Sequence, residues 1–584
     1  MRLNKILYTI AGVALLASCH DLDLNPLSKG STGNWYSNET EVEMAVNELY
    51  DINYWPEDGQ AHNDWSDDYQ YRDVLTPFDG ATLNGQNDFV VRLWDNQYKA
   101  IAHANSVILN EGKAIANGAN AQTIKRLVAE ARFHRAAAYS KLIVKFGDVP
   151  LVLNSIDIDE GKAMGRTEKS KVLQAIYEDF DAAASVLPEK CTGAVRATKG
   201  AALALKARVA LIMGDWQTAA NAANAVMQLG VYALHPDYAN LFLSTTKTSD
   251  EFIFKIPRSV EYDGWYYGAS AVYNDLVRNV GGWCATCPSW DLLAAYTCTD
   301  GLPVDKSPLF DSHDPFKNRD PRMSQTLAYP GWELKGTMGY APGQGIYVQN
   351  LNKNFSGYHQ LKGFPNSKDK DYYLGIDYPT IRYAEVLLIY AEAKAELGQL
   401  TQADLDKTIN LLRDRAGMPH LTMNVTADPV ESAKFPSVSA VLLEIRRERR
   451  VELAFEGFRF DDLMRWHAGK LLEQVPEGLY FPSLGKYDLT GDGIPDVYLI
   501  PSSQEIPAEA DKETNALGEK LTYYRTGNID DPQATVYLKN GTSGSIQTAK
   551  TMGTFQEPRD YYRPVPKHEM DLNPNLAPQL FGWQ

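Results

Sequence analysis

The sequence predicts a mainly α-helical fold in which a scaffold of paired helices carries a long loop-rich region. Two observations lead to this prediction. Residues 39–230 contain successive helix-length segments with apolar side chains at three- and four-residue spacing, as in LWDNQYKAIAHANSVIL at 93–109. Residues 231–380 then become rich in Gly, Pro, Asn and Tyr and mostly lose that period. A loop region of this length inside a helical array is usually functional.

Two segments have the pattern of a helix pair with a tight turn. Residues 198–230 contain two Ala-rich amphipathic stretches that flank Gly214, and residues 383–417 turn at Gly398. Alanine at the contact positions lets two helices approach closely, and glycine ends the first helix of the pair. The pattern is typical of a tetratricopeptide repeat, whose pairs stack into a right-handed scaffold because one pair cannot bury its face alone.

These patterns divide the chain into six segments. They are an export signal at 1–18, a tether and linker at 19–38, a helical region at 39–230, a loop-rich region predicted to bind ligand at 231–380, a further helix pair with a charged helix at 381–470, and an irregular C-terminal region at 471–584.

The first residues predict export and lipid attachment. Arg2 and Lys5 precede an apolar run at 6–17, which is too short for a membrane-spanning helix. Leu-Ala-Ser-Cys at 16–19 then matches the bacterial lipobox, in which the cysteine receives lipid, so Cys19 is the predicted attachment site. An ordinary secretory signal is the alternative. Several acyl chains on one cysteine supply the two hydrophobic signals that stable anchoring requires.

The net charge limits the classes of ligand that the protein is expected to bind. The formal charge of −17 at pH 7 argues against nucleic acid as a partner, because phosphate binding needs a basic face. It is consistent with an exported protein and with an uncharged ligand.

Three cysteines lie close together in the loop-rich region. Cys284 and Cys287 have the spacing of a zinc pair, but the second pair that such a site needs is missing, and only Cys298 lies near. In an oxidising compartment a disulfide among the three is the favoured interpretation, and free thiols are the alternative.

The charged segment EIRRERRVELAFEGFRFDDLMRW, at 444–466, is predicted to be structural. Glu452 and Glu456 lie one turn apart and could suggest a catalytic pair. Alternating charges at this spacing instead favour ion pairs within and between helices. A glycoside hydrolase needs two carboxylates about 5–9.5 Å apart across a sugar, and no motif singles out such a pair. We therefore predict no catalytic residue.

Two aromatic stretches are the predicted ligand-binding loops. Sugar rings present C–H faces that stack on Trp and Tyr, and their hydroxyls need polar partners nearby. HNDWSDDYQYRD, at 62–73, and YDGWYYGASAVYNDLVRNVGGWCATC, at 262–287, offer both kinds of side chain. The alternative is packing between loops. The predicted ligand-binding residues are Trp65, Asp67, Asp68, Tyr71, Arg72, Trp265, Tyr267 and Trp283.

The segment YDLTGDGIPDVYLI, at 487–500, resembles a calcium loop. Alternating oxygen-bearing side chains surround Gly493, which permits a sharp turn, but Leu499 stands where an EF-hand loop has its bidentate glutamate. The alternative is an Asp/Gly-rich turn before the strand VYLIP. No cofactor is predicted to be required. The predicted structural calcium ligands are Asp488, Thr490, Asp492, Asp496 and the carbonyl of Ile494.

Six motifs, in the expected order over essentially the whole chain, resemble the SusD/RagB family of outer-membrane nutrient-binding lipoproteins. They are the lipobox with LDLNP, WDNQYKAIAHANSVI, ARFHRAAAYSKLIVKFGDVPLV, YPTIRYAEVLLIYAEAKAELG, IRRERRVELAFEGFRFDDLMRW and YYRPVPKHEMDLNPNLAPQ. The resemblance implies a SusD-like fold of four tetratricopeptide-like helix pairs with a loop-rich irregular subdomain, and a RagB/SusD domain at about 330–584.

The family resemblance also implies a function. A protein of this kind is expected to be lipid-anchored at the surface of the outer membrane, to capture an oligosaccharide or polysaccharide without catalysis, and to act beside a SusC-like TonB-dependent barrel. Two alternatives stay open. One is a SusD-like protein that binds peptide or another nutrient, and the other is a surface glycoside hydrolase.

Overall fold

The N-terminal helices begin and end at the residues that their sequence signals indicate. The computed structural model describes residues 35–51, 53–55, 66–71, 81–257, 286–333, 348–352, 356–363 and 376–584. Asn38 caps the first helix by accepting the backbone N–H of Glu41 at 3.0 Å. The described chain is mainly helical, which confirms the predicted fold class.

The helices are α1 (Glu39–Glu48), α2 (Asp88–Leu109), α3 (Glu111–Ala116), α4 (Ala121–Phe146), α5 (Ile158–Ala163), α6 (Lys169–Val186), α7 (Lys199–Ile212), α8 (Trp216–Gln228), α9 (Trp290–Ala295), α10 (Pro321–Thr326), α11 (Tyr383–Glu396), α12 (Gln402–Asp406), α13 (Ile409–Ala416), α14 (Pro429–Lys434), α15 (Ala440–Glu452), α16 (Arg459–Arg465) and α17 (Lys567–Leu572). The long helices form a continuous array, in which α2, α4, α6, α7, α8, α11 and α15 each pack on the next.

The first predicted helix pair is α7 and α8. Gly214 has a φ of 76°, a left-handed conformation that glycine adopts without steric cost, so the chain reverses there. Asp215 then caps α8 by accepting the N–H of Thr218. The alanines at the α7–α8 contact are buried, as the pattern predicted. Assignment of the pairs to the tetratricopeptide class stays a prediction.

The second predicted helix pair, at 383–417, differs from the prediction. Helix α11 ends before Gly398, whose φ is 65°, but the following segment is two short helices, α12 and α13, rather than one. The break lies at Thr408, whose φ of −135° is not helical. Its hydroxyl donates to the carbonyl of Asp404 at 2.5 Å and thereby competes with the helical N–H partner of that carbonyl.

The strands are short. They are β1 (Tyr69–Tyr71), β2 (Phe252–Ile256), β3 (Thr286–Pro288), β4 (Tyr378–Arg382), β5 (Glu477–Phe481), β6 (Gly485–Tyr487), β7 (Val497–Pro501), β8 (Thr522–Gly527), β9 (Val536–Tyr537) and β10 (Gly544–Gln547). The antiparallel pairs are β1–β3, β2–β4 and β5–β10, and a four-stranded sheet has the order β6-β7-β8-β9. The predicted strand VYLIP is β7.

Helix α15 is surrounded by a buried ion network. Its charged side chains from Glu444 to Glu452 are all buried, and so are most of their partners on neighbouring elements. Glu452 is fully buried and accepts from Arg382 at 2.7 Å and from Arg322 at 3.0 Å, and it also pairs with Arg415. Burial alone would raise the pKa of Glu452. The three guanidinium groups lower this pKa by more than burial raises it, so the pKa lies below its usual value.

The network confirms that the charged segment is structural. Glu456 is held in the same way, because Arg382 Nη2 and Lys362 Nζ each lie 2.7 Å from its Oε1. Both carboxylates are buried, and cations occupy their oxygens. In the described part of the chain, every helix is too short or too polar to cross a membrane.

We predict that Glu452→Gln lowers the free energy of unfolding by about 3–5 kcal/mol, because it removes one counter-charge from each of three buried arginine side chains. The matched control is Asp530→Asn, which breaks an exposed pair with Lys550 whose side chains are 65% and 64% exposed. It should change the free energy by less than about 1 kcal/mol. Urea unfolding of both variants tests this, and equal midpoints would show that the network does not hold the fold.

Candidate functional site

The two predicted ligand-binding loops are joined at one short antiparallel ladder. Strand β1 pairs with β3, with Tyr69 opposite Pro288, Gln70 opposite Cys287 and Tyr71 opposite Thr286. One predicted aromatic stretch contains β1, and the other ends in β3. Because the pairing is antiparallel, the chain leaves β1 at the same end at which it enters β3. The ladder therefore brings together two segments that lie about 200 residues apart in the sequence.

The ladder lies on an apolar layer that joins it to α15. Tyr69 is buried, its ring centroid is 4.7 Å from that of Phe455, and its hydroxyl accepts the Phe455 N–H at 3.0 Å. Burial is the main cause that raises the pKa of Tyr69 well above its usual value, so this hydroxyl stays neutral. Leu292 and Tyr296, from the segment after β3, belong to the same core.

Ion pairs fasten the turn before β1 to the scaffold. Asp67 accepts two bonds of 2.7 Å from Arg459, in the bidentate arrangement. Asp68 accepts a 2.7 Å bond from Nε of Arg450, at the C-terminal end of α15. The backbone carbonyls of both aspartates also accept from Ser289, through its hydroxyl at 2.7 Å and its N–H at 2.8 Å.

These contacts give Asp67 and Asp68 a structural role, and their predicted part in ligand binding stays a prediction. Both side chains are buried, and their oxygens are bound by arginine. Burial alone would raise the pKa of Asp67. Arg459 and Arg450 together lower this pKa by more than burial raises it, so the carboxylate stays charged. The two aspartates are anchors of the ladder, and their partners lie too far away in the sequence to be recognised from it.

The other predicted contacts fall largely beyond the described residues. Only the backbone of Tyr71 is described, as the end of β1. The remaining predicted positions lie outside the described residues: Cys19, Trp65, Arg72, Trp265, Tyr267 and Trp283. Their roles stay predictions.

The structure reduces the number of possible disulfides among Cys284, Cys287 and Cys298. Cys298 is buried and carries a free thiol, and Cys284 lies outside the described residues. A disulfide that includes Cys298 is therefore absent from this structure. Cys287 is buried in β3, within the ladder.

The predicted calcium loop is held in a tight turn by its own backbone. Asp488 accepts the N–H groups of Thr490, Gly491 and Gly493 at 2.9, 2.7 and 2.7 Å. Gly493 has a φ of 85°, so the sharp turn expected there is present.

The two other acidic side chains of this loop also accept backbone N–H groups. Asp492 accepts the N–H of Ile494 at 2.8 Å, and Asp496 accepts those of Leu489 and Thr490 at 2.7 and 3.0 Å. These bonds close the turn before β7, and calcium binding stays a prediction.

A cavity of about 360 Å³ forms a second candidate ligand site, on the helical array. It lies between α4, the turn from α7 to α8, α16 and residues 561–563. Trp216, Tyr561 and Tyr562 line it beside charged side chains, which include an ion pair of Lys145 with Asp461. No local pattern in the sequence predicts this cavity, because its walls come from four distant segments.

Known proteins match this chain in sequence and in fold. Residues 250–583 match the profile of the SusD family, and residues 26–211 match a profile described as starch-binding associating with outer membrane. The chain belongs to the SusD family, since the first profile alone covers more than half of it.

Similar proteins agree with this assignment. SusD-like protein P2 of Formosa agariphila is 25% identical over 492 residues, which are 80% of this chain and 92% of that protein. A crystal structure of a SusD-like carbohydrate-binding protein from Bacteroides fragilis is 28% identical, with a TM-score of 0.71 over 93% of this chain and 99% of that one. A laminarin-binding SusD-like protein shares the fold at 20% identity, with a TM-score of 0.56 over 94% and 100% of the two chains.

We predict that a calcium chelator lowers the melting temperature of the protein, because an ion bound only to the folded state stabilises it. At a free calcium concentration 100 times Kd the stabilisation is about 2.7 kcal/mol. Asp492→Asn keeps an oxygen for the Ile494 N–H but removes a charged ligand, so the chelator should have little effect on that variant. An unchanged melt of the parent, with no calcium found by elemental analysis, would show that the loop is a turn only.

Proposed function

We propose that this protein is a non-catalytic, lipid-anchored glycan-binding protein of the outer-membrane surface. It captures an oligosaccharide or polysaccharide and delivers it to a SusC-like TonB-dependent transporter. The observation that carries the proposal is the β1–β3 ladder, which joins both aromatic loop segments at one place on a rigid scaffold. A binding face needs such convergence, because one stacked ring alone holds a sugar weakly.

Membership of the SusD family supports the ligand class. The Bacteroides fragilis relative, at 28% identity over nearly its whole length, is a carbohydrate-binding protein. The formal charge of −17 also favours an uncharged sugar over an anionic ligand, through long-range repulsion.

The proposed membrane attachment rests on Cys19 and on the family description. The lipobox at 16–19 supplies an anchor at the start of the chain, and the second matched profile is described as associating with the outer membrane. A tethered binding protein keeps its ligand near a transporter, because tethering raises the effective concentration of ligand at the pore.

The absence of catalysis is part of the proposal. Glu452 and Glu456, the carboxylates that a hydrolase would suggest, are bound by arginine and lysine in the network around α15. Binding without bond cleavage also suits a protein that passes intact oligosaccharide onward. Peptide binding is the second candidate ligand class, and the cavity beside Trp216 is the second candidate place.

A panel of neutral oligosaccharides and peptides, measured by calorimetry on the pure protein, tests the ligand class. We expect a neutral glycan to bind and peptides not to bind. Chromatography of the glycan after long incubation should show the starting material only. Binding of peptide alone would overturn the glycan proposal, and release of shorter sugars would overturn the absence of catalysis.

We predict that at least one of the substitutions Trp65→Ala, Trp265→Ala and Trp283→Ala weakens binding of the glycan found in that panel by roughly tenfold or more. A stacked aromatic ring at a binding centre contributes on the order of 1–3 kcal/mol, and 1.4 kcal/mol is a factor of ten in Kd. Each variant is first shown to melt like the parent.

The matched variant is Trp216→Ala, which removes an aromatic wall of the 360 Å³ cavity on the helical array. It should bind the glycan with the affinity of the parent. If Trp216→Ala alone loses binding, the glycan site is the cavity and the ladder has no part in it.

A further inference from the structure

Three metal-binding side chains meet where the C-terminal helix lies against α2. Asp95 belongs to α2, and His568 and Glu569 lie in the first turn of α17. His568 Nε2 is 3.6 Å from Asp95 Oδ1 and 3.0 Å from Glu569 Oε1. One ligand atom from each residue lies within 4.8 Å of the other two. Opposite ends of the chain therefore supply one compact group.

Backbone contacts hold α17 in this position independently of the three side chains. The N–H of Lys567 donates to the carbonyl of Gly85 at 3.0 Å. The approach is so close that a Cβ at Gly85 would stand 2.9 Å from the carbonyl oxygen of Val565. The three side chains are thus brought together by the fold, and a ligand is not needed to assemble them.

The spacing of the ligand atoms suits a small transition-metal ion. Zinc binds histidine nitrogen and carboxylate oxygen at about 2.0–2.2 Å, so neighbouring ligands of a tetrahedral ion are about 3.3 Å apart. The two distances of 3.0 and 3.6 Å lie on either side of that value. The third distance, between the ligand atoms of Asp95 and Glu569, is within 4.8 Å, so side-chain rotations could bring all three atoms around one ion.

One oxygen of the group lacks a partner that an ion would supply. Asp95 Oδ1 is sealed from solvent and has no hydrogen-bond donor in the described part of the chain. The nearest candidate, His568 Nε2 at 3.6 Å, is beyond hydrogen-bond distance. A buried carboxylate oxygen needs either a hydrogen-bond donor or a cation. Because Asp95 Oδ1 lies beside two further metal-binding side chains, His568 and Glu569, we favour a cation.

We propose that Asp95, His568 and Glu569 bind a divalent transition metal of the zinc class, which fastens the C-terminal helix to α2. Two carboxylates balance the charge of such an ion. The imidazole nitrogen favours zinc-like metals over calcium and magnesium, which prefer oxygen ligands only. The side chains are 30–45% exposed, which gives the ion a path of entry and leaves a position for water. The site is independent of glycan binding.

Equilibrium dialysis of the untagged, metal-free protein against zinc tests the proposal. The parent should bind zinc at this site, and His568→Ala should weaken that binding by about a hundredfold or more, because even outer-shell substitutions at metal sites cost 10–100-fold. Glu569→Gln serves as a second variant if His568→Ala melts differently from the parent. Cobalt in place of zinc should give a visible absorption band in the parent that both variants lose.

The matched control is His103→Ala, because His103 Nδ1 lies 3.2 Å from a single carboxylate, that of Glu48. This variant should bind zinc like the parent. Asp492→Asn, in the predicted calcium loop, should also leave zinc binding unchanged. The proposal is overturned if the parent binds no zinc at micromolar concentration, or if His568→Ala and Glu569→Gln both bind it as the parent does.

Discussion

The buried ion network around α15 is the constraint on which the arrangement of the rest of the molecule depends. Taking a charge out of water costs several kcal/mol, and only a close partner offsets that cost. Every buried arginine or glutamate of α15 therefore fixes the position of the element that carries its partner. Through Glu452 alone, β4, α10 and α13 are tied to one point, by Arg382, Arg322 and Arg415.

The same constraint extends to the candidate binding site. Arg450, at the end of α15, and Arg459, at the start of α16, hold the two aspartates before β1. Strand β1 in turn holds β3, which ends the longer aromatic stretch. The chain of contacts runs from the scaffold through ion pairs to a two-stranded ladder and then to the predicted ligand-binding loops. The ladder thus gives the predicted ligand-binding loops a fixed base, which specific recognition by loops requires.

Local patterns predicted those parts of the fold that depend on neighbours in sequence. The helix at 93–109, the turn at Gly214 and the structural nature of the 444–466 segment all follow from periodicity or charge spacing, and all are present. The roles of Asp67 and Asp68 could not be predicted in this way, because their arginines lie nearly 400 residues away. The break at Thr408 was missed because a hydroxyl bond to the backbone leaves no periodic signal. The group formed by Asp95 and His568 likewise requires both ends of the chain to be placed first.

The central claim is that ion pairs from α15 and α16 hold the ladder that carries the binding loops. Hydrogen exchange of the backbone amides in Asp68→Asn, compared with the parent, tests it most directly. The account predicts that protection falls by roughly tenfold or more at 66–71 and 286–289, since about 1.4 kcal/mol of local stability corresponds to a factor of ten. Protection in α7 and α8 should stay unchanged. Equal protection of the ladder in both proteins, or a uniform loss over the whole chain, would contradict the claim.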